Sequence, residues 1–194
     1  MSEIQIIMVV VTLFLIYKVY ERVQNLDPEG QESAAGRNPV TNRGPSAETL
    51  VREADAAFEA GDTQKAQSLL EEADKIRPED AVITGKLAFM LARNGHDVRA
   101  IETYRHAIAL DKLNDQYHAA IASLYRAKGM VQEAKNHYEK ALALDPDYEI
   151  TYYNYANLLQ DMGDKETARA MYEKALALDP DFAEAKAELD KLNA

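Results

Sequence analysis

The 194-residue chain has no cysteine, which excludes disulfide bonds, thiolate metal sites and cysteine nucleophiles from the outset. Basic residues are also scarce: 22 Lys and Arg stand against 33 Asp and Glu, a net charge of −11. Nucleic-acid binding needs a basic footprint to displace counterions, and this balance argues against it. It suits a body that resists nonspecific association. Motifs that carry chemistry are missing too, with no Gly-rich phosphate loop, G-x-S-x-G elbow or H-E-x-x-H pair. The histidines, His96, His106, His118 and His137, include no pair at ligand spacing and read as structural or surface residues. Carboxylates such as Glu71, Glu72, Glu139 and Glu173 are explained by a solvated helix face. The expectation is a protein that is not an enzyme and uses no metal, cofactor or small-molecule substrate.

Charge is absent altogether from Ile4 to Tyr17 (IQIIMVVVTLFLIY), where only Gln5 and Thr12 are polar. Extended to Tyr20 the stretch has about 17 residues, the lower limit for crossing a hydrocarbon core of roughly 30 Å. Lys18 can snorkel to the headgroups, and Tyr17 and Tyr20 suit the interface. A cleaved signal peptide would need a basic start and a small-residue exit; here they are Met-Ser-Glu and Tyr-Lys-Val-Tyr. An interfacial helix would show a polar face, and this stretch has none. A core helix does not fit ahead of a loose linker. The expectation is one uncleaved transmembrane helix within residues 1–24, the membrane contact being residues 4–20, with packing inside a larger membrane complex as the alternative. Lys18 and Arg22 follow the span and only Glu3 precedes it, which by the positive-inside rule puts the remainder in the cytoplasm. Residues 25–46, rich in Pro, Gly, Asn and Ser, lack an apolar period and read as a flexible linker with an end-to-end distance on the order of 25 Å.

The remainder repeats every 34 residues. Glycines recur at Gly61, Gly95, Gly129 and Gly163, and alanines at Ala66, Ala100, Ala134 and Ala168 and again at Ala73, Ala107, Ala141 and Ala175. Between the alanines stand Leu70, Tyr104, Tyr138 and Tyr172, and the units close on Pro78, Lys112, Pro146 and Pro180. Such units read as helical hairpins: glycine ends the first helix, alanines let the second approach closely, the bulky residue fills the gap and proline stops the second helix. The units run 47–80, 81–114, 115–148 and 149–182. After Pro180 the stretch Asp181–Asn193 is amphipathic, with Phe182, Ala185 and Leu189 on one stripe, and residues 183–194 are expected to form a capping helix.

These units resemble tetratricopeptide repeats (TPR), the third and fourth most closely. In the fourth, Ala156, Leu159, Gly163, Ala168, Tyr172, Ala175 and Pro180 fall on the family pattern, and Tyr152 stands for its usual early aromatic. Leu50, Thr84 and His118 occupy that place elsewhere, and Glu53 replaces a packed apolar residue in the first unit, where an end face meets solvent. The resemblance implies an all-α, right-handed α-solenoid of four TPR hairpins plus the capping helix, preceded here by the transmembrane helix. It also implies a concave groove, lined by first helices, that holds a partner's peptide or helix. The lining positions carried over are Val82, Lys86, Phe89 and Arg93 in the second unit and Gln116, Ala119, Ser123 and Arg126 in the third. In the fourth they are Ile150, Tyr153, Asn154, Asn157 and Gln160.

Residues 47–194 hold 18 Lys and Arg and 28 Asp and Glu, yet the lining of the two central units has Lys86, Arg93 and Arg126 and no acid among the assigned positions. An acidic segment or C-terminal carboxylate is the expected occupant. The competing reading pairs those cations with acids of neighbouring helices. Val51, Asp55, Gly85, Phe89 and Ala120 stand where a chaperone-binding clamp would need Lys, Asn and Arg, so such a clamp is not expected. The arrangement is similar to bacterial membrane-assembly TPR proteins, which implies a single-pass scaffold or adaptor in a bacterial inner membrane. A structural subunit of a larger complex is the alternative, and self-association through groove and end surfaces is a third.

Overall fold

A helix that must turn sharply at its end needs a residue at positive φ, and glycine supplies one without steric cost. The first helices of the four units, α1 (Ala47–Glu59), α3 (Ala81–Arg93), α5 (Asp115–Ala127) and α7 (Glu149–Asp161), all stop this way in a computed structural model that describes residues 44–193. Gly61, Gly95, Gly129 and Gly163 have φ of +82°, +78°, +71° and +81°. At each end the glycine N–H bonds the carbonyl three residues back and the next N–H reaches five back, as in Asp62 N to Ala57 O at 2.9 Å. Two otherwise unpaired helix carbonyls are thereby satisfied.

The second helices, α2 (Thr63–Ile76), α4 (Asp97–Leu110), α6 (Val131–Leu144) and α8 (Lys165–Leu178), start two residues after each glycine. Asp62 and Asp164 cap α2 and α8 by accepting from the Lys65 and Thr167 N–H groups. The eight repeated alanines are at most 1% exposed, and Leu70, Tyr104, Tyr138 and Tyr172 at most 4%. Their spacing of four and then three residues puts each trio on one helix face. Ala54, Ala88, Ala122 and Ala156 meet them from the first helices, also at most 1% exposed. Each hairpin packs mainly within itself and then against the next, and α9 (Ala183–Asn193) lies on α8 with Ala185 buried. Phe182 and Leu189, half-buried, pack against the same core, and Glu53 is exposed on the first unit.

The second unit ends where the others do despite having Lys112 in place of proline. Asp111 takes up extended backbone, φ −133° and ψ 95°, and its carboxylate accepts from the Leu113 N–H at 3.2 Å. Asp145 and Asp179 make the same turn ahead of their prolines, at 3.0 Å each. This aspartate turn is sufficient to close a unit.

Among the described residues the chain is thus an all-α solenoid of nine helices. No helix among them is long and apolar enough to cross a membrane. The expected span over residues 4–20 lies outside the described residues, as does the expected linker over 25–46 up to residue 43.

One glycine serves packing between units. Gly85 is buried inside α3, and a Cβ built on it would come within 2.4 Å of the Tyr117 ring. That ring, from α5, lies on the bare helix backbone and donates its hydroxyl to the Ala81 carbonyl at 2.8 Å. Gly85→Ala gains up to about 1 kcal/mol of helix propensity, but overpacking costs about 1–3 kcal/mol. A net destabilisation of about 1 kcal/mol should appear in chemical denaturation, and Tyr117→Leu in the same chain should relieve most of it.

Candidate partner-binding groove

The first helices of successive hairpins meet along one face, α3 with α5 and α5 with α7. Close approach on that face shortens it relative to the opposite one, so the array is concave on the side of the first helices. There Val82, Phe89 and Ile150 are 58%, 42% and 39% exposed. Arg93 and Gln116 are exposed as well. Lys86, Ala119, Ser123, Arg126, Tyr153, Asn154, Asn157 and Gln160 are half-buried, so none of the thirteen assigned positions is a core residue.

Two of the three lining cations are engaged. Lys86 Nζ lies 2.5 Å from Asp55 Oδ1 of α1, and Arg126 Nε lies 2.6 Å from Asp161 Oδ2 of α7. Arg93 forms no ion pair with another described residue. For Lys86 and Arg126 the geometry therefore follows the competing reading, pairing with neighbouring helices. Both pairs are at least a third exposed, and exposed pairs contribute only about 0–1 kcal/mol, so an incoming carboxylate can compete for the cations.

The groove floor is made by side chains that reach through from the second helices. The Tyr138 hydroxyl lies 2.9 Å from Ser123 Oγ. The Tyr172 hydroxyl lies 2.7 Å from Asn157 Oδ1 and 2.9 Å from Gln160 Oε1. Three of the assigned polar positions are thus oriented from behind, by residues of the core. Between α3 and α5 a cleft opens among Val82, Lys86, Phe89, Gln116, Tyr104 and Tyr117. Phe58 of α1 meets Phe89 edge-on at 5.6 Å and lengthens the apolar strip.

Phe58, Tyr104, Asp55 and Asp161 were absent from the assigned lining. The acids were accessible by register: Lys86 and Asp55 are 31 residues apart and Arg126 and Asp161 35, each close to one repeat, which sets them on adjacent first helices. The fold also joins His118 of α5 to His137 of α6, with Nδ1 to Nδ1 at 3.0 Å and His118 only 5% exposed. His96 and His106 are exposed. Among the described residues no group of three His, Asp or Glu side chains is placed to hold a metal.

A profile of the tetratricopeptide repeat family matches residues 57–124 and 125–192, most of the chain. The protein belongs to the tetratricopeptide repeat family, whose members generally serve as non-enzymatic protein-interaction scaffolds. No curated protein sequence matches it significantly. Among solved structures, MamA (residue 41 to the end) from Desulfovibrio magneticus RS-1 superposes with a TM-score of 0.70 at 18% identity, covering 77% of this chain and 85% of that one. YrrB, described as a TPR protein with an unusual peptide-binding site, gives 0.66 at 18% identity over 73% of each chain. PilF of Pseudomonas aeruginosa gives 0.69 at 22% identity, over 75% of this chain and 67% of its own. At these identities the likeness is one of fold.

The histidine pair gives the array a pH response. Facing nitrogens 3.0 Å apart share one proton, so charging both rings would set two N–H groups against each other. Burial lowers the pKa of His118, and burial followed by the charge of His118 lowers that of His137 to about 4; Lys140 opposes protonation of both rings and Arg105 that of His137, while Asp115 favours it at His118. Unfolded histidines titrate near 6.5. Between those values the unfolded state binds more protons, so stability falls as pH falls from about 6.5 towards 4. Thermal unfolding from pH 7.5 to 5 should show a midpoint that drops more steeply in the wild type than in His137→Asn, which retains a donor for His118 without a titrating ring.

Proposed function

We propose that the protein is a single-pass membrane scaffold that holds a segment of a partner protein in its concave groove. The observation that carries this reading is the inner-face strip of Phe58, Phe89 and Val82. These large apolar side chains are left 37%, 42% and 58% exposed beside Lys86 and Arg93. Apolar anchors flanked by exchangeable charges are the elements of peptide recognition in a groove. YrrB, similar in fold, is a TPR protein with an unusual peptide-binding site, which is consistent with this reading.

The occupant carries acidic residues or a free carboxylate, which would meet Arg93 directly and displace Asp55 or Asp161 from the other two cations. The apolar stretch Ile4–Tyr20 anchors the chain, in a bacterial inner membrane, and Lys18 and Arg22 favour a cytoplasmic position for the repeats. Tethering confines the groove to a shell near the bilayer and raises the effective concentration of partners there.

Arg93→Glu combined with Arg126→Glu should abolish partner capture in a crosslinking pull-down from intact membranes while leaving the far-UV circular dichroism unchanged; undiminished capture overturns the acidic-partner reading. The full chain should resist alkaline carbonate and dissolve in detergent, whereas a chain lacking residues 1–24 should partition with the soluble fraction. Release of the full chain by carbonate contradicts the anchor.

A further inference from the structure

Three second-helix tyrosines stand in the same register, and their hydroxyls fare differently. Tyr138 and Tyr172 are met by polar groups of their own first helices, Ser123 for one and Asn157 with Gln160 for the other. Ser123 and Asn157 occupy one repeat position, and in the second unit that position is Phe89. Phe89 offers Tyr104 no partner, and no hydrogen bond joins the Tyr104 hydroxyl to any described residue. Tyr104 is only 4% exposed, yet it lines the α3–α5 cleft. That hydroxyl opens on the cleft with no protein partner among the described residues, so an acceptor on a ligand can take the place of water there.

The rest of the cleft defines what would fit. Val82 and Phe89 form apolar walls, the Tyr117 ring covers Gly85, and the small Ala120 adds little bulk beside them. Tyr117 fills part of the floor, but its hydroxyl is committed to the Ala81 carbonyl. Lys86 is the only charged side chain of the lining, and Asp55 already balances it. A carboxylate that exchanges with Asp55 at the partly exposed Lys86 keeps a charged partner, but the Tyr104 donor is neutral and more deeply placed, and a neutral carbonyl costs far less to set against it. Asn114 and Gln116 place amide groups at the mouth. Burial keeps Tyr104 protonated well above its ordinary range, so it remains a donor at every working pH.

We propose that the α3–α5 cleft is a pocket for a side-chain amide of the partner, a glutamine whose apolar stem lies between Val82 and Phe89 and whose carbonyl oxygen accepts from the Tyr104 hydroxyl. This rests on the groove reading above and places an uncharged recognition point beside the acid-binding cations. Loss of one neutral hydrogen bond corresponds to about a threefold to tenfold loss of affinity.

The test uses dodecamer peptides selected from a random display library against the full chain in detergent micelles. Selected peptides should carry a glutamine, and Tyr104→Phe should weaken them about threefold to tenfold with unchanged thermal stability. Replacing that glutamine by methionine or by glutamate should weaken binding to the wild type but much less to Tyr104→Phe. Peptides that bind Tyr104→Phe as tightly as wild type, or that carry glutamate at the sensitive position, overturn the pocket. If those same peptides are lost with Phe89→Ala, the groove reading survives without it. Peptides indifferent to both substitutions, or an empty selection, count against both.

Discussion

The close approach of two helices, made possible by alanine, governs everything else in this molecule. Twelve alanines lie between α1 and α2 and their counterparts in the other units, and all are at most 1% exposed. At that separation a single large side chain per unit fills the remaining gap. Leu70 suffices in the first unit, and tyrosines take its place in the other three. A tyrosine there is long enough to cross the hairpin, and in the third and fourth units its hydroxyl surfaces among the groove residues of the first helix. The core thus supplies polar groups to the groove, and the packing register decides which groove positions they meet.

Electrostatics link one unit to the next along the same face. The Lys86–Asp55 and Arg126–Asp161 contacts each tie first helices of neighbouring hairpins. Exposed pairs of this kind contribute little stability, about 0–1 kcal/mol, and their interest lies in exchange. In the proposed groove reading an acid of the occupant would replace Asp55 or Asp161 at small cost, while Phe58, Phe89 and Val82 offer area that water would otherwise cover. A scaffold that must release its occupant is served by several weak, replaceable contacts more than by one buried charge.

Much of the solenoid was legible because its constraints are local. A glycine at positive φ, two alanines seven residues apart and a bulky residue between them each leave a mark in the chain, and the 34-residue period repeats the mark four times. Proline proved less informative than the aspartate before it, since Asp111 closes the second unit beside Lys112. The groove was legible in position but not in pairing. Lys86, Arg93 and Arg126 were readable as lining cations, whereas Asp55 and Asp161 emerge only when the register between units is counted. The His118–His137 contact was hidden because 19 residues and a helix turn separate two rings that meet inside one hairpin. Gly85 gave no hint of its role, which belongs to Tyr117 in the following unit. The residues before 44 lie outside the described structure, so the anchor rests on its apolar composition alone.

Photocrosslinking most directly tests whether the concave face is where the partner binds. A benzoylphenylalanine placed at Val82, on the inner strip, is compared in intact membranes with one at Glu102, exposed on α4 of the opposite face. Capture of a protein from position 82 and none from position 102 is expected. Equal capture from both positions, or capture from 102 alone, contradicts a scaffold that works through its groove.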